Sequence, residues 1–104
     1  MPINTVVNSN HHLEKLKFRE SLTAEIVADV ECEINDLLAW APESLTERDR
    51  KAIRDEVMVQ TRLVTDALST EELQNEGARR AYTCGAVATA RQMINLQMAQ
   101  TKRN

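Results

Sequence analysis

The chain predicts an all-α fold: a small antiparallel helical bundle of three main helices, completed by oligomerisation. Three observations carry that expectation. The 104 residues include only two glycines and two prolines, so the chain has few places to turn. Apolar residues recur with a helical period over long stretches. Two Ser-x-x-Glu sequences, Ser44 to Glu47 and Ser69 to Glu72, have the form of capping boxes that open helices.

Residues 1–9 show no helical period and are expected to form an N-terminal arm, leaving residues 10–104 as a single helical domain. Asn10 is placed to cap a first turn over His11 to Arg19. From Leu22 the period is clear: Leu22, Ile26, Val27, Val30, Ile34, Leu37, Leu38 and Ala41 share one face, and Glu25, Asp29, Glu33 and Asp36 lie opposite. Phe18 falls off the apolar face, which requires a bend near Glu20-Ser21 or a partner that covers it. Residues 10–41 therefore read as one helix or two, the main one over 21–41. Pro42 ends it, because the residue before a proline is pushed out of the helical region.

The Ser44 box opens a second helix over 45–68, with Ile53, Val57, Val64 and Leu68 on its core face. Met58 and Val59 fall outside that face and suggest a second contact. Glu47 and Lys51 form a favourable i, i+4 pair. The Ser69 box opens a third helix over 70–101. Both connections are short, so sequential helices are expected to run antiparallel. Tyr82, Val87, Met93, Ile94, Leu96 and Met98 spread apolar groups around the third helix, which then needs more than one neighbour.

Composition narrows the functional classes. Apolar residues make up 42% of the chain, but only Phe18, Trp40 and Tyr82 are aromatic, so the core must rest on aliphatic side chains. No apolar run is long enough to span a membrane. The start, Met1-Pro2-Ile3-Asn4-Thr5, lacks the basic and apolar regions of a signal peptide. Cys32 and Cys84 have no metal-ligand or Cys-x-x-Cys spacing and read as reduced, half-buried thiols of a cytoplasmic protein. The net charge of −3 is small, but the charges are segregated. From Glu20 to Glu47 the chain carries eight acids and no base; from Gly77 to Asn104 it carries five bases and no acid. An acidic first helix lying against a basic last helix, within or between subunits, explains that division most simply.

Candidate chemistry is sparse. The stripe Glu25, Asp29, Glu33, Asp36 places like charges at i, i+4 and reads as a solvated face. His11 and His12 are adjacent and point about 100° apart on a helix, so they make no two-point metal clamp. No Glu-x-x-His pair, His-Glu-x-x-His run or EF-hand loop is present, and neither a metal nor a cofactor is expected. Cys84 beside Gly85 lacks the local base and orienting group that a nucleophile needs. No enzyme is expected.

Arg79, Arg80, Arg91, Lys102 and Arg103 form the best case for anion or nucleic-acid contacts. No aromatic residue interleaves with them for base stacking, and no helix-turn-helix spacing precedes them. Arg91, Gln92 and Asn95 interrupt the small-residue stripe near its end, where they are placed to hold a small anionic ligand between subunits or to form the wet end of an interface.

The most informative pattern is that stripe. Gly77, Ala81, Cys84, Gly85 and Ala88 fall within about a 100° arc of the third helix. Glycine in a helix interior costs about 1 kcal/mol relative to alanine, so two of them suggest a close packing surface. The stripe either seats the third helix on the first or joins two copies, with Leu73, Val87, Leu96 and Met98 supplying apolar area. The inter-subunit version leads, with a dimer as the expected state and a second protein as an expected partner. No family motif falls on these residues; in general make-up the short, charge-segregated chain resembles small bacteriophage-encoded proteins. The leading functional expectation is a non-enzymatic helical interaction protein, an assembly or regulatory accessory. The second is a small nucleic-acid-binding regulator using the basic C-terminal helix; the third is capture of a small anionic ligand at a subunit interface.

Overall fold

A computed structural model describes the backbone of residues 2–103 and the side chains of residues 12–100. All the regular structure among them is helical: α1 (Pro2–Ala39), α2 (Glu47–Ala67), the single turn α3 (Thr70–Gln74) and α4 (Glu76–Arg103). The all-α bundle expected from the sequence is present.

One continuous helix, α1, replaces the expected arm and shorter helices. It begins at Pro2, a residue pre-organised for the first helical turn, so Asn10 lies within the helix rather than at its start. No break occurs at Glu20-Ser21. Phe18 instead begins an i, i+4 ridge with Leu22, Ile26, Val30, Ile34 and Leu38, and the last four of these are buried. Thirty-eight residues rise about 57 Å, which accounts for most of the 70 Å long dimension of the molecule.

The α1–α2 turn corrects a second expectation. Thr46, not Ser44, caps α2: its hydroxyl accepts the Asp49 N–H at 3.1 Å. Leu45 thereby stays outside the helix and fills the core. Ser44 is left free to turn its hydroxyl toward the Met98 sulfur at 3.6 Å. Arg50 then closes the turn. Its guanidinium donates to the carbonyls of Leu38, Ala41 (3.3 Å), Pro42 (2.9 Å) and Leu45 (3.0 Å). Carbonyls at and just beyond a helix end lack intrahelical partners; here Ala41 and Leu45 donate backbone N–H groups to Leu38 and Pro42 at 3.2 and 2.9 Å, and Arg50 adds a side-chain donor to all four carbonyls. Glu47 lies 3.8 Å from Arg50, an i, i+3 pair in place of the expected i, i+4 pair with Lys51.

On α2 the buried positions are Ile53, Val57, Thr61 and Thr65, again at i, i+4. Val64 is exposed, contrary to the expected core face. The two threonines replace it because their hydroxyls return to the helix's own carbonyls, Thr61 to Val57 at 2.8 Å and Thr65 to Arg62 at 3.0 Å. A satisfied hydroxyl is tolerated in a core. Met58 and Leu68 pack on the edge of that core, whereas Val59 faces solvent.

The third helix expected over 70–101 is two helices. Ser69 forms its capping box with Glu72 as read, but α3 stops at Gln74. Asn75 restarts the chain by accepting the Ala78 N–H on Oδ1 at 2.9 Å. Gly77 belongs to this cap: a Cβ there would sit 3.2 Å from Asn75 Oδ1. The break turns Leu73 inward, where it is fully buried and closes the end of the bundle against α1 and α4. Asn75→Ala is expected to cost about 0.5–2 kcal/mol in urea unfolding, the usual worth of such a cap.

Three cross-helix contacts fix direction. Arg19 donates to the last carbonyls of α2, Thr65 and Asp66, at 3.2 and 3.1 Å. Gln97 of α4 donates to Asp49 at the start of α2, at 3.3 Å. Arg79 at the start of α4 meets Glu25 and Asp29 of α1. Helices α1 and α4 are therefore parallel to each other, and both are antiparallel to α2. Because α2 ends at Arg19, the part of α1 before that residue projects past the bundle and leaves Leu13, Leu16 and Phe18 exposed.

Candidate interaction surfaces on the bundle

The core side of α4 is made by Ala90 and Ile94, flanked by the partly buried Ala86, Val87, Met93 and Met98. That choice decides where the small residues go. Gly77, Ala81, Cys84, Gly85 and Ala88 are all exposed. The stripe thus does not seat α4 on α1; it faces outward. Leu73, Val87 and Met98, expected to flank an interface, are committed to the subunit's own core, and only Leu96 remains exposed. Both cysteines are free and exposed rather than half-buried.

Two depressions flank the outward side of α4. Toward α1 lies a groove of about 1050 Å³. Asp29, Cys32 and Glu33 form its α1 wall; Arg79, Arg80 and Arg91 are on the α4 wall. This is the acid–base juxtaposition that charge segregation predicted, and it lies within one subunit. Arg79 reaches Glu25 at 3.3 Å and Asp29 at 3.6 Å. Both carboxylates are more than half exposed, so solvent screens these pairs. Arg79→Ala is accordingly expected to lower stability by no more than about 1 kcal/mol, with the difference shrinking in high salt. Urea titrations at two ionic strengths check this.

Gln92 and Asn95 also line that groove beside Arg91, so the polar group read as an anion site is brought together on one wall. It faces carboxylates, however. The side chains of Lys102 and Arg103 lie outside the described residues, as does that of His11; His12 is exposed. Among the described residues no group of three or more His, Cys, Asp or Glu side chains is placed to hold a metal ion.

Toward α2 lies a smaller hollow of about 220 Å³, lined by Val57, Gln60, Thr61 and Val64 of α2 and Gly85, Ala86 and Thr89 of α4. None of these side chains ionises. A Cβ built on Gly85 meets nothing within 4 Å. Sequence reasoning found Gly85 but not the hollow, because α2's share of it depends on which face Thr61 and Thr65 bury.

No helix among the described residues is long and apolar enough to cross a membrane. No family model matches the chain, and no curated protein or solved structure matches it.

Proposed function

We propose that this chain is a non-enzymatic helical interaction protein whose first partner is a second copy of itself. The observation that carries the reading is Gly85. A mid-helix glycine costs about 1 kcal/mol relative to alanine, and inside the subunit nothing approaches it closely enough to require one. Gly77 is accounted for by the Asn75 cap; Gly85 has no such internal reason. A helix from another copy, lying on the outward side of α4, supplies one.

The same reading absorbs the exposed Leu96, which lies within about 20° of Gly85 around α4. As an assembly or regulatory accessory, the dimer would also present the projecting end of α1, with Leu13, Leu16 and Phe18, to a second protein. Two free, exposed thiols fit a reducing compartment such as the cytoplasm. A nucleic-acid role draws less support. Arg79 is engaged by Glu25 and Asp29, and the groove holding Arg80 and Arg91 has carboxylates along its other wall, which repel phosphate. Those carboxylates also disfavour a small anion beside Arg91.

Thermal melting over a hundredfold concentration range tests the proposal. The midpoint of an oligomer rises with concentration by mass action; an unchanged midpoint would count against self-association. In parallel, the protein is expected to pass through a DNA column at low salt without retention.

A further inference from the structure

Residues four apart on a helix share one row, so α1 presents four rows. Phe18, Leu22, Ile26, Val30, Ile34 and Leu38 form the row that enters the core. Residues two further along point about 200° away. The row opposite the core therefore holds Leu16, Glu20, Ala24, Ala28 and Cys32, all of them exposed. Arg79 of α4 reaches Glu25 and Asp29, which marks the flank that also carries Lys17. Arg19 reaches the end of α2, which marks the other flank, with Lys15 and Glu31.

Charge divides the same helix along its length. Between Leu13 and Arg19 stand three bases and one acid; from Glu20 to Ala39 stand six acids and no base. The basic part is the end that projects past the bundle with Leu13 and Leu16 exposed. Helices in proteins owe their stability mostly to a packed face, and this end has none in its own subunit. The acidic part has its outward face bare.

Turned antiparallel, α1 complements itself. A two-fold axis beside the helix at the level of Leu22 sets each flank against the same flank of the other copy. Leu16 then lies over Ala28 of the partner subunit, Lys17 beside the partner's Asp29, and Lys15 beside the partner's Glu31. One register satisfies all three pairs. Ala24 and Ala28 are small enough for the second helix to close in. Glu25 and Asp29 are more than half exposed despite Arg79, which leaves room for a second donor. The core row faces α2 and α4, so the two bundles stand on opposite sides of the pair.

We propose that two copies pair through α1, the projecting basic end of each lying on the acidic outward face of the other. This goes beyond the α4 contact proposed above and uses none of its residues. Exposed charge pairs are screened by solvent, so the pairing belongs to low ionic strength and weakens as salt rises.

A Gly85→Leu background isolates this contact. A Cβ at that position meets nothing in its own subunit, so the fold is kept while the larger side chain holds a second helix off α4. Light scattering at low salt is expected to show dimers of this chain that separate in high salt. Lys15→Glu with Lys17→Glu should weaken the pairing by roughly tenfold or more. Asp29→Lys with Glu31→Lys, made separately, should do the same; Arg79 keeps Glu25. Mixed in equal amounts, the two double variants should pair again, because a reversed end meets a reversed face. Circular dichroism confirms that each chain remains helical. A Gly85→Leu chain that is monomeric at low salt would overturn the inference, whatever the unmodified chain does. Charge reversals without effect, or reversed variants that stay apart when mixed, would overturn it as well.

Discussion

Leu73→Ala is expected to lower the free energy of unfolding by about 2–5 kcal/mol, the range for truncating a fully buried leucine. Leu73 has no exposed surface and sits on a five-residue helix that has few other ties to the core. The loss therefore combines the transfer free energy of the removed atoms with a void at the end of the bundle. Alanine there would also loosen the Ser69–Asn75 segment that aims α4. Urea unfolding should show a lower midpoint at an unchanged slope, since the surface exposed on unfolding stays nearly the same. A change below about 1 kcal/mol would mean that the plug does not hold the helices.

Arg50→Ala is expected to cost nearly as much, about 3 kcal/mol. Its side chain is only 14% exposed and serves the carbonyls of Leu38, Ala41, Pro42 and Leu45 together. Hydrogen bonds to a charged donor contribute about 1.5–3 kcal/mol each, but the Leu38 and Pro42 carbonyls keep the backbone N–H groups of Ala41 and Leu45 when the guanidinium is removed. Water can reach some of these groups, which keeps the sum well below four such bonds. Arg50→Lys is the informative companion. It keeps the charge but not the planar fork, so most of the loss should remain. Full rescue by lysine would show that charge near the helix end, rather than the set of directed bonds, is what matters.

The core ridge of α1 was legible because Ile26, Val30, Ile34 and Leu38 repeat at helical spacing and no competing period interrupts them. Ser69 to Glu72 was legible for a similar reason, as a local motif with a local mechanism. The Arg79 pairs with Glu25 and Asp29 were foreshadowed by charge segregation, though not residue by residue. What escaped was of another kind. Ser44-x-x-Glu47 and Thr46-x-x-Asp49 are overlapping caps of equal chemical merit, and the burial of Leu45 settles which one forms. Asn75 was hidden inside a continuing apolar period. Thr61 and Thr65 look polar in sequence, yet their hydroxyls return to nearby backbone and they enter the core in place of Val64. Arg50 binds carbonyls, which leave no trace in a sequence.

The candidate surface divided the same way. The residues of the small stripe were legible; the direction in which they face was not. An arc of small side chains fits a close internal contact as well as an external one, and only the positions of Ala90 and Ile94 in the core turn the stripe outward. The groove toward α1 and the hollow toward α2 likewise needed both neighbouring helices in place.

Sedimentation equilibrium of the unmodified protein, from low to high micromolar concentration, reads self-association itself. The chain mass is 11.8 kDa. The weight-average mass is expected to climb toward twice this value as concentration rises. A mass that stays at 11.8 kDa throughout would mean that two copies do not join.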